Sequence, residues 1–211
     1  WHAPPRMSDY ITEVFGTGGL FATHFPGYEA RAGQIALART VHTAMSERKH
    51  VLGEGPCGVG KGIAYSVPAV WHAHHQQRRV VIATANIALQ EQLINKDLPL
   101  LAEVLPWKFT FALLKGRNNY LCRDRMHESL ARGDFVGLPD RARQQQADAI
   151  VEWARSTRTG DVSELPFVPA PQVWSHASVG SDECKRKACA SYDDCFAERA
   201  KARACAVDIV V

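Results

Sequence analysis

The 211-residue sequence has no run of 18 apolar residues, the length a helix needs to cross a hydrocarbon core. Its opening, Trp-His-Ala-Pro-Pro-Arg, lacks the charged-then-apolar pattern of a secretory leader. The two absences argue against membrane insertion and export and lead us to expect a soluble, cytoplasmic chain. Without an export signal, the six cysteines read as metal ligands or plain small residues rather than disulfides. A strong excess of one charge is also missing: 25 Lys and Arg against 22 Asp and Glu leave a formal net charge of +3. Any nucleic-acid surface must therefore come from local placement of cations. The nine histidines show no ligand spacing, no Ser-His-Asp set can be argued, and no internal repeat is present. The chain does not begin with Met, so a missing or processed natural N-terminus, and hence a fragment, is expected.

What is present is an alternation of helical and strand patterns. After the irregular residues 1–27, broken by Pro4-Pro5 and the glycines around Gly18, with a short helix expected over Asp9–Phe15, Ile35, Ala38, Val41 and Met45 fall at helical spacing over 31–47. His50–Glu54 reads as a strand leading into a glycine-rich loop, and Lys61–His75 as a helix with Pro68 as a kink. Arg79–Thr84, Phe109–Leu114 and Val207–Val211 are apolar runs of the kind buried parallel strands carry, with a helix expected over Asn86–Leu101. This order predicts an α/β fold built on a doubly wound parallel sheet. Between Cys122 and Val207 the pattern turns polar and helical, Asp140–Arg155 most clearly, with Pro166–Pro171 as a stiff connector, so the region reads as an insertion.

Gly55-Pro56-Cys57-Gly58-Val59-Gly60-Lys61-Gly62 matches a Walker A phosphate loop through its lysine and departs from it at Gly62, where Ser or Thr should stand. Glycines let backbone N–H groups turn onto phosphate oxygens, the following helix adds its positive end, and Lys61 supplies a point charge. Gly62 has no hydroxyl to offer Mg²⁺, so nucleotide binding is expected to persist in weakened form, with hydrolysis either impaired or served by a water in place of the hydroxyl.

Cys122, Cys184, Cys189 and Cys195 form a second constellation. They converge only if the 61 residues between the first two return to their start. Four thiolates suit either [4Fe–4S] or Zn²⁺; zinc ribbons usually carry two CxxC knuckles, which are absent, and the residues alone leave both open. Cys57 and Cys205 read as plain small residues. His72, His74 and His75 are expected at a solvated helix end, and Trp107, Trp153 and Trp174 as packing anchors.

From about Phe25 onward these pieces resemble the N-terminal part of DinG-type helicases, relatives of the XPD iron–sulfur helicases in superfamily 2. Tyr28–Gln34 resembles the family's opening segment, Glu54–Gly62 its motif I, Thr84–Gln92 its motif Ia, and Lys115–Cys122 the start of its cluster domain. The Cys-x4-Cys-x5-Cys spacing also fits the family and favours [4Fe–4S] over zinc. The resemblance implies a RecA-like P-loop NTPase domain over 28–118, an iron–sulfur cluster domain over 119–205 ligated by the four cysteines, and a return strand at 206–211. It implies ATP with Mg²⁺ as cofactors, Gln34 as adenine reader, Gly55 to Gly62 around the phosphates and Lys61 as the catalytic cation.

For the whole protein it implies a monomeric ATP-dependent 5′ to 3′ helicase acting on single-stranded DNA and duplex junctions, RNA–DNA hybrids among the candidate substrates. Thr84, Asn86, Gln90, Arg117 and Tyr120, with Lys185, Arg186 and Lys187 beside them, are then candidate nucleic-acid contacts. The sequence departs from the family in two respects: Gly62, and the lack of an Asp-Glu-x-His box and a second motor lobe within the 211 residues. Hydrolysis and translocation are therefore not expected of these residues alone. A non-catalytic nucleotide- and nucleic-acid-binding relative and a zinc-stapled P-loop protein stand as the alternatives.

Overall fold

Helix formation in the first half follows the apolar spacing. Ile11, Val14 and Phe15 put one face of α1 (Met7–Phe15) into the interior, where each is fully buried. The structure is a computed structural model and describes residues 7–56, 58–138 and 140–211. It divides into two units, one of residues up to Leu113 together with Ala206–Val211, the other of Leu114–Cys205.

In the first unit α1 is followed by α2 (Leu20–His24), α3 (Ala32–Glu47) and α4 (Lys61–Gln76), and α3 packs along α4. α4 begins after Gly60, whose φ of +77° suits a residue without Cβ, and runs through Pro68 without breaking. The sheet is small and parallel. β1 (Val80–Val81) and β2 (Phe111–Ala112) flank a central β3 (Ile209–Val210), so the last residues of the chain do return to the middle of the sheet. Between β1 and β2 the expected helix is present and runs unbroken from Ile87 to Val104: α5 (Ile87–Gln92) passes through a π-helical turn, Leu93–Asp97, into α6 (Leu98–Val104). Leu93, Leu98, Leu101, Val67, Val70 and Ile209 close the core, each burial contributing about 1.5–3 kcal/mol before entropic costs.

Two expectations change here. His50–Glu54 is irregular and exposed, with Leu52 wholly in solvent, because no described strand lies beside it to complete a ladder. His72 is not at a solvated end. It is 2% exposed, with its ring 5.1 Å from that of His42 and edge-on to Trp71.

The second unit is helical: α7 (Arg123–Arg132), α8 (Arg141–Ser156), α9 (Pro171–Trp174) and α10 (Phe196–Ala204), linked by loops and short 3₁₀ turns. Its core is Leu121, Met126, Phe135, Ile150, Val173 and Phe196 with their neighbours. Lys115 is held in this interior by Asp161, Nζ to Oδ2 at 2.9 Å, and by Ser163 Oγ at 2.9 Å. Among the described residues no helix is long and apolar enough to cross a membrane.

Candidate functional site

The first unit carries the glycine loop at the start of α4. Gly58 and Gly60 have φ of +83° and +77°, the left-handed backbone that lets successive N–H groups face one side. Lys61 folds back over the loop, its Nζ donating to the carbonyls of Gly55 at 2.6 Å and Pro56 at 2.9 Å. Both acceptors are neutral carbonyls, which an incoming phosphate would outbid for the ammonium. The loop is braced from α3 and the residues before it. Gln34 is 7% exposed and donates from Nε2 to the Gly60 carbonyl at 3.2 Å, and Arg31 Nη1 donates to the Gly58 carbonyl at 2.6 Å. Tyr28 donates its hydroxyl to the Phe15 carbonyl at 3.1 Å and sits 3.4 Å from Gln34 Oε1. Its φ requires glycine at 60, and a Cβ there would also displace the Gln34 amide from its bond to the loop.

The residue at 57 lies outside the described residues, so the expectation placing Cys57 in the loop has no structural counterpart. Val59 is half-buried beside Gly55. At Gly62 the neighbour is a carboxylate: a Cβ there would lie 2.8 Å from Asp97 Oδ2.

Of the candidate contacts after β1, Thr84 Oγ1 accepts from the Asn86 N–H, and Asn86 caps α5 by accepting from the N–H groups of Ala88 and Leu89. Gln90 is 8% exposed and donates to the Val211 carbonyl at 3.2 Å, so its amide ties α5 to the end of the chain.

In the second unit Cys122, Cys184, Cys189 and Cys195 line one small cavity with Arg117, Tyr120 and Glu198. Cys122 is set in place by its own N–H bonding the Ala177 carbonyl at 2.8 Å and by that of Leu121 bonding Gly160 at 2.7 Å. It caps α7, whose positive end faces its sulfur, and Cys195 directly precedes α10. Backbone N–H groups of Arg125 and Arg186 approach Cys122 Sγ at 3.5 Å and Cys184 Sγ at 3.4 Å.

Burial pushes the Cys122 thiol up, the Arg125 N–H works against this, and the Cys189 and Cys195 sulfurs add to the rise. A metal that replaces the proton would remove that cost. Burial also opposes the Arg117 charge, but Glu198, bonded at 2.5 Å, and the Cys184 and Cys195 sulfurs outweigh it and keep the guanidinium charged. Four soft donors with cationic and N–H groups around them, and no disulfide among the described residues, are surroundings that would suit an anionic iron–sulfur cluster. Among the described residues, no three His, Cys, Asp or Glu side chains meet at a single ion-sized point.

Arg117 and Tyr120 therefore belong to the cavity wall. Tyr120 is 4% exposed, its oxygen accepting from the Lys115 N–H at 3.1 Å. Lys185 lies between Asp124 and Glu128, at 2.8 and 2.9 Å, which offset its charge. Sequence reasoning passed over Asp97 and Glu198. Asp97 left a faint signal, a carboxylate among the apolar positions Leu93, Leu98 and Leu101, whereas Glu198 left none.

The chain is 36% identical over 200 residues to the "ATP-dependent helicase DinG" of Mycobacterium tuberculosis (strain ATCC 25618 / H37Rv), covering 88% of this chain and 30% of that protein. It is 35% identical over 205 residues to the "ATP-dependent DNA helicase YoaA" of Escherichia coli (strain K12), covering 95% of this chain and 31% of that one. The chain belongs to the DinG-type helicase family. A further DinG relative, the "3'-5' exonuclease DinG" of Bacillus subtilis (strain 168), is 34% identical over 189 residues, 88% of this chain and 20% of its own length. No family model matches the chain. It spans under a third of each of these three DinG-type relatives.

Proposed function

We propose that this chain is the nucleotide-binding and cluster-bearing part of an ATP-dependent DNA helicase, in which the loop Gly55–Gly62 holds ATP and Cys122, Cys184, Cys189 and Cys195 hold a [4Fe–4S] cluster. The observation that carries the reading is the meeting of the four sulfurs at one cavity on a chain that also bears a phosphate loop. The helicase names of the Mycobacterium and Escherichia relatives support it.

In a RecA-like domain the loop N–H groups and Lys61 would cradle the phosphates, with Lys61 leaving the Gly55 and Pro56 carbonyls for the nucleotide. Gln34, bonded to the loop at Gly60, would couple adenine recognition to loop conformation. A bound Mg²⁺ would neutralise phosphate charge. Hydrolysis and unwinding in the 5′ to 3′ direction are assigned to the whole protein.

The cluster serves as a staple for the second unit. A single Zn²⁺ gathers four sulfurs to within about 3.8 Å of one another, given Zn–S bonds of about 2.3 Å, whereas a cluster spans a wider set. Thr84 and Asn86 follow β1, where a single strand of DNA would pass.

Anaerobically purified chain is expected to be brown, with about four irons, and Cys184→Ser to lose the colour. Colourless protein carrying one zinc would refute the cluster and favour the zinc-stapled alternative. ATP titration by calorimetry is expected to give heat that Lys61→Ala abolishes. A second reading, a relative that binds nucleotide and DNA without turnover, draws on the missing hydroxyl at Gly62. In the full-length protein, magnesium-dependent ATPase would exclude it.

A further inference from the structure

Gly62 and Asp97 are built against each other. The 2.8 Å between Asp97 Oδ2 and the position a Cβ would take at residue 62 is closer than carbon and oxygen tolerate, so any side chain there requires the carboxylate to move. Asp97 closes the π-helical turn Leu93–Asp97, and wide turns of this kind recur at functional positions. The residue is 4% exposed, and its Oδ2 accepts one side-chain hydrogen bond, from Gln92 Nε2 at 3.1 Å. No ion pair to it forms among the described residues. Burial holds its carboxyl above the usual carboxylate range, with Gln92 and then Lys96 pulling the other way. A carboxylate taken from water without an ion pair is costly, and this one faces the position where a Walker A loop carries its metal-binding hydroxyl.

We propose that Asp97 takes the place of that hydroxyl as the protein's oxygen ligand for the divalent cation that accompanies the nucleotide. This rests on the reading of Gly55–Lys61 as a phosphate cradle. Mg²⁺ is a hard cation that accepts carboxylate and phosphate oxygens and keeps several waters, so one carboxylate with the nucleotide's phosphates is a sufficient donor set. Gly62 is then not a lost ligand but the space that admits a charged one. Without metal, the same carboxylate repels the phosphates. Nucleotide binding is therefore more dependent on Mg²⁺ than it would be with a neutral hydroxyl.

The test is calorimetry of the purified chain with ADP, in Mg²⁺ and in EDTA. The wild type is expected to bind at least tenfold more tightly with Mg²⁺. In Asp97→Asn that ratio falls below threefold, and metal-free binding is equal or tighter because the repulsion is gone. Adding Gly62→Ser to Asp97→Asn restores part of the metal dependence. An Asp97→Asn variant with the wild-type ratio overturns the ligand role and leaves the phosphate cradle standing. A wild type that takes up no ADP, like Lys61→Ala, overturns both. Should Asp97→Asn fail to fold, as judged by circular dichroism, the wild type labelled with carboxyl-¹³C aspartate answers the question. Mn²⁺·ADP bound to it shows a ¹³C coupling in electron–nuclear double resonance if a carboxylate ligates, and its absence refutes the proposal.

Discussion

Replacing Asp161 by Ala should unfold the second unit's interior from a single atom pair. Lys115 Nζ is 2.9 Å from Asp161 Oδ2, with the two side chains 3% and 11% exposed, so removing the carboxylate leaves an ammonium ion in the interior with only Ser163 Oγ as partner. Breaking a buried pair from one side costs about 3–5 kcal/mol, since solvent screening is slight and desolvation is not refunded. Asp161 also accepts from the Ser163 N–H and bridges to Tyr120, beside the residues that place Cys122. The assay is hydrogen exchange at the Leu121 and Cys122 amides, which bond the Gly160 and Ala177 carbonyls. A loss of about 4 kcal/mol lowers their protection by roughly three orders of magnitude, since each 1.4 kcal/mol is tenfold. Replacing both partners, Lys115→Met with Asp161→Leu, should recover most of the loss, because an apolar pair of similar volume carries no stranded charge. Protection within tenfold of wild type in Asp161→Ala, or no recovery in the double variant, would refute the argument.

Gly60→Ala combines a left-handed φ of +77° with a clash against Gln34 Nε2, and should cost about 1–2 kcal/mol and weaken ATP binding, read by calorimetry. His42 and His72 both have lowered pKa values, by burial first in each case. The unfolded chain then binds more protons between their depressed folded values and about 6.5, so stability should fall as pH drops below about 6.5. His72→Leu should flatten that slope in thermal melts at pH 5 to 7; an unchanged slope would exclude these rings as its source. Leu52→Lys should change stability by no more than about 0.5 kcal/mol, because the side chain is wholly exposed, and a larger loss in urea titration would mean that residues 50–54 form a buried strand after all.

Much of the layout was legible because it is encoded over short distances. The helix over 31–47 appears as α3 because its apolar positions repeat at the helical period, and Asp140, read as the start of a helix, does cap α8 by accepting from the Arg143 N–H. The strand at Val207–Val211 was readable as an apolar run, and β3 does lie centrally between β1 and β2. The helix over Asn86–Leu101 is continuous, as its composition implies, but the widened turn Leu93–Asp97 inside it leaves no mark in the apolar spacing. His50–Glu54 had a strand's composition and lacks a partner among the described residues, and a strand is stable only when its N–H and C=O groups are paired.

By itself the sequence determined the glycine loop before α4, the lysine that closes it, the missing hydroxyl at Gly62 and the spacing of the last three cysteines, since each depends on backbone preferences and neighbours a few residues away. The tertiary structure alone decided that Gln34 braces Gly60, that Asp97 fills the space beside Gly62, that Gln90 is turned inward to Val211, and that Cys122 meets cysteines more than 60 residues on. The physical reason is that which surfaces meet is settled by burial and by pairing of polar groups across the whole fold, and no local period carries that information.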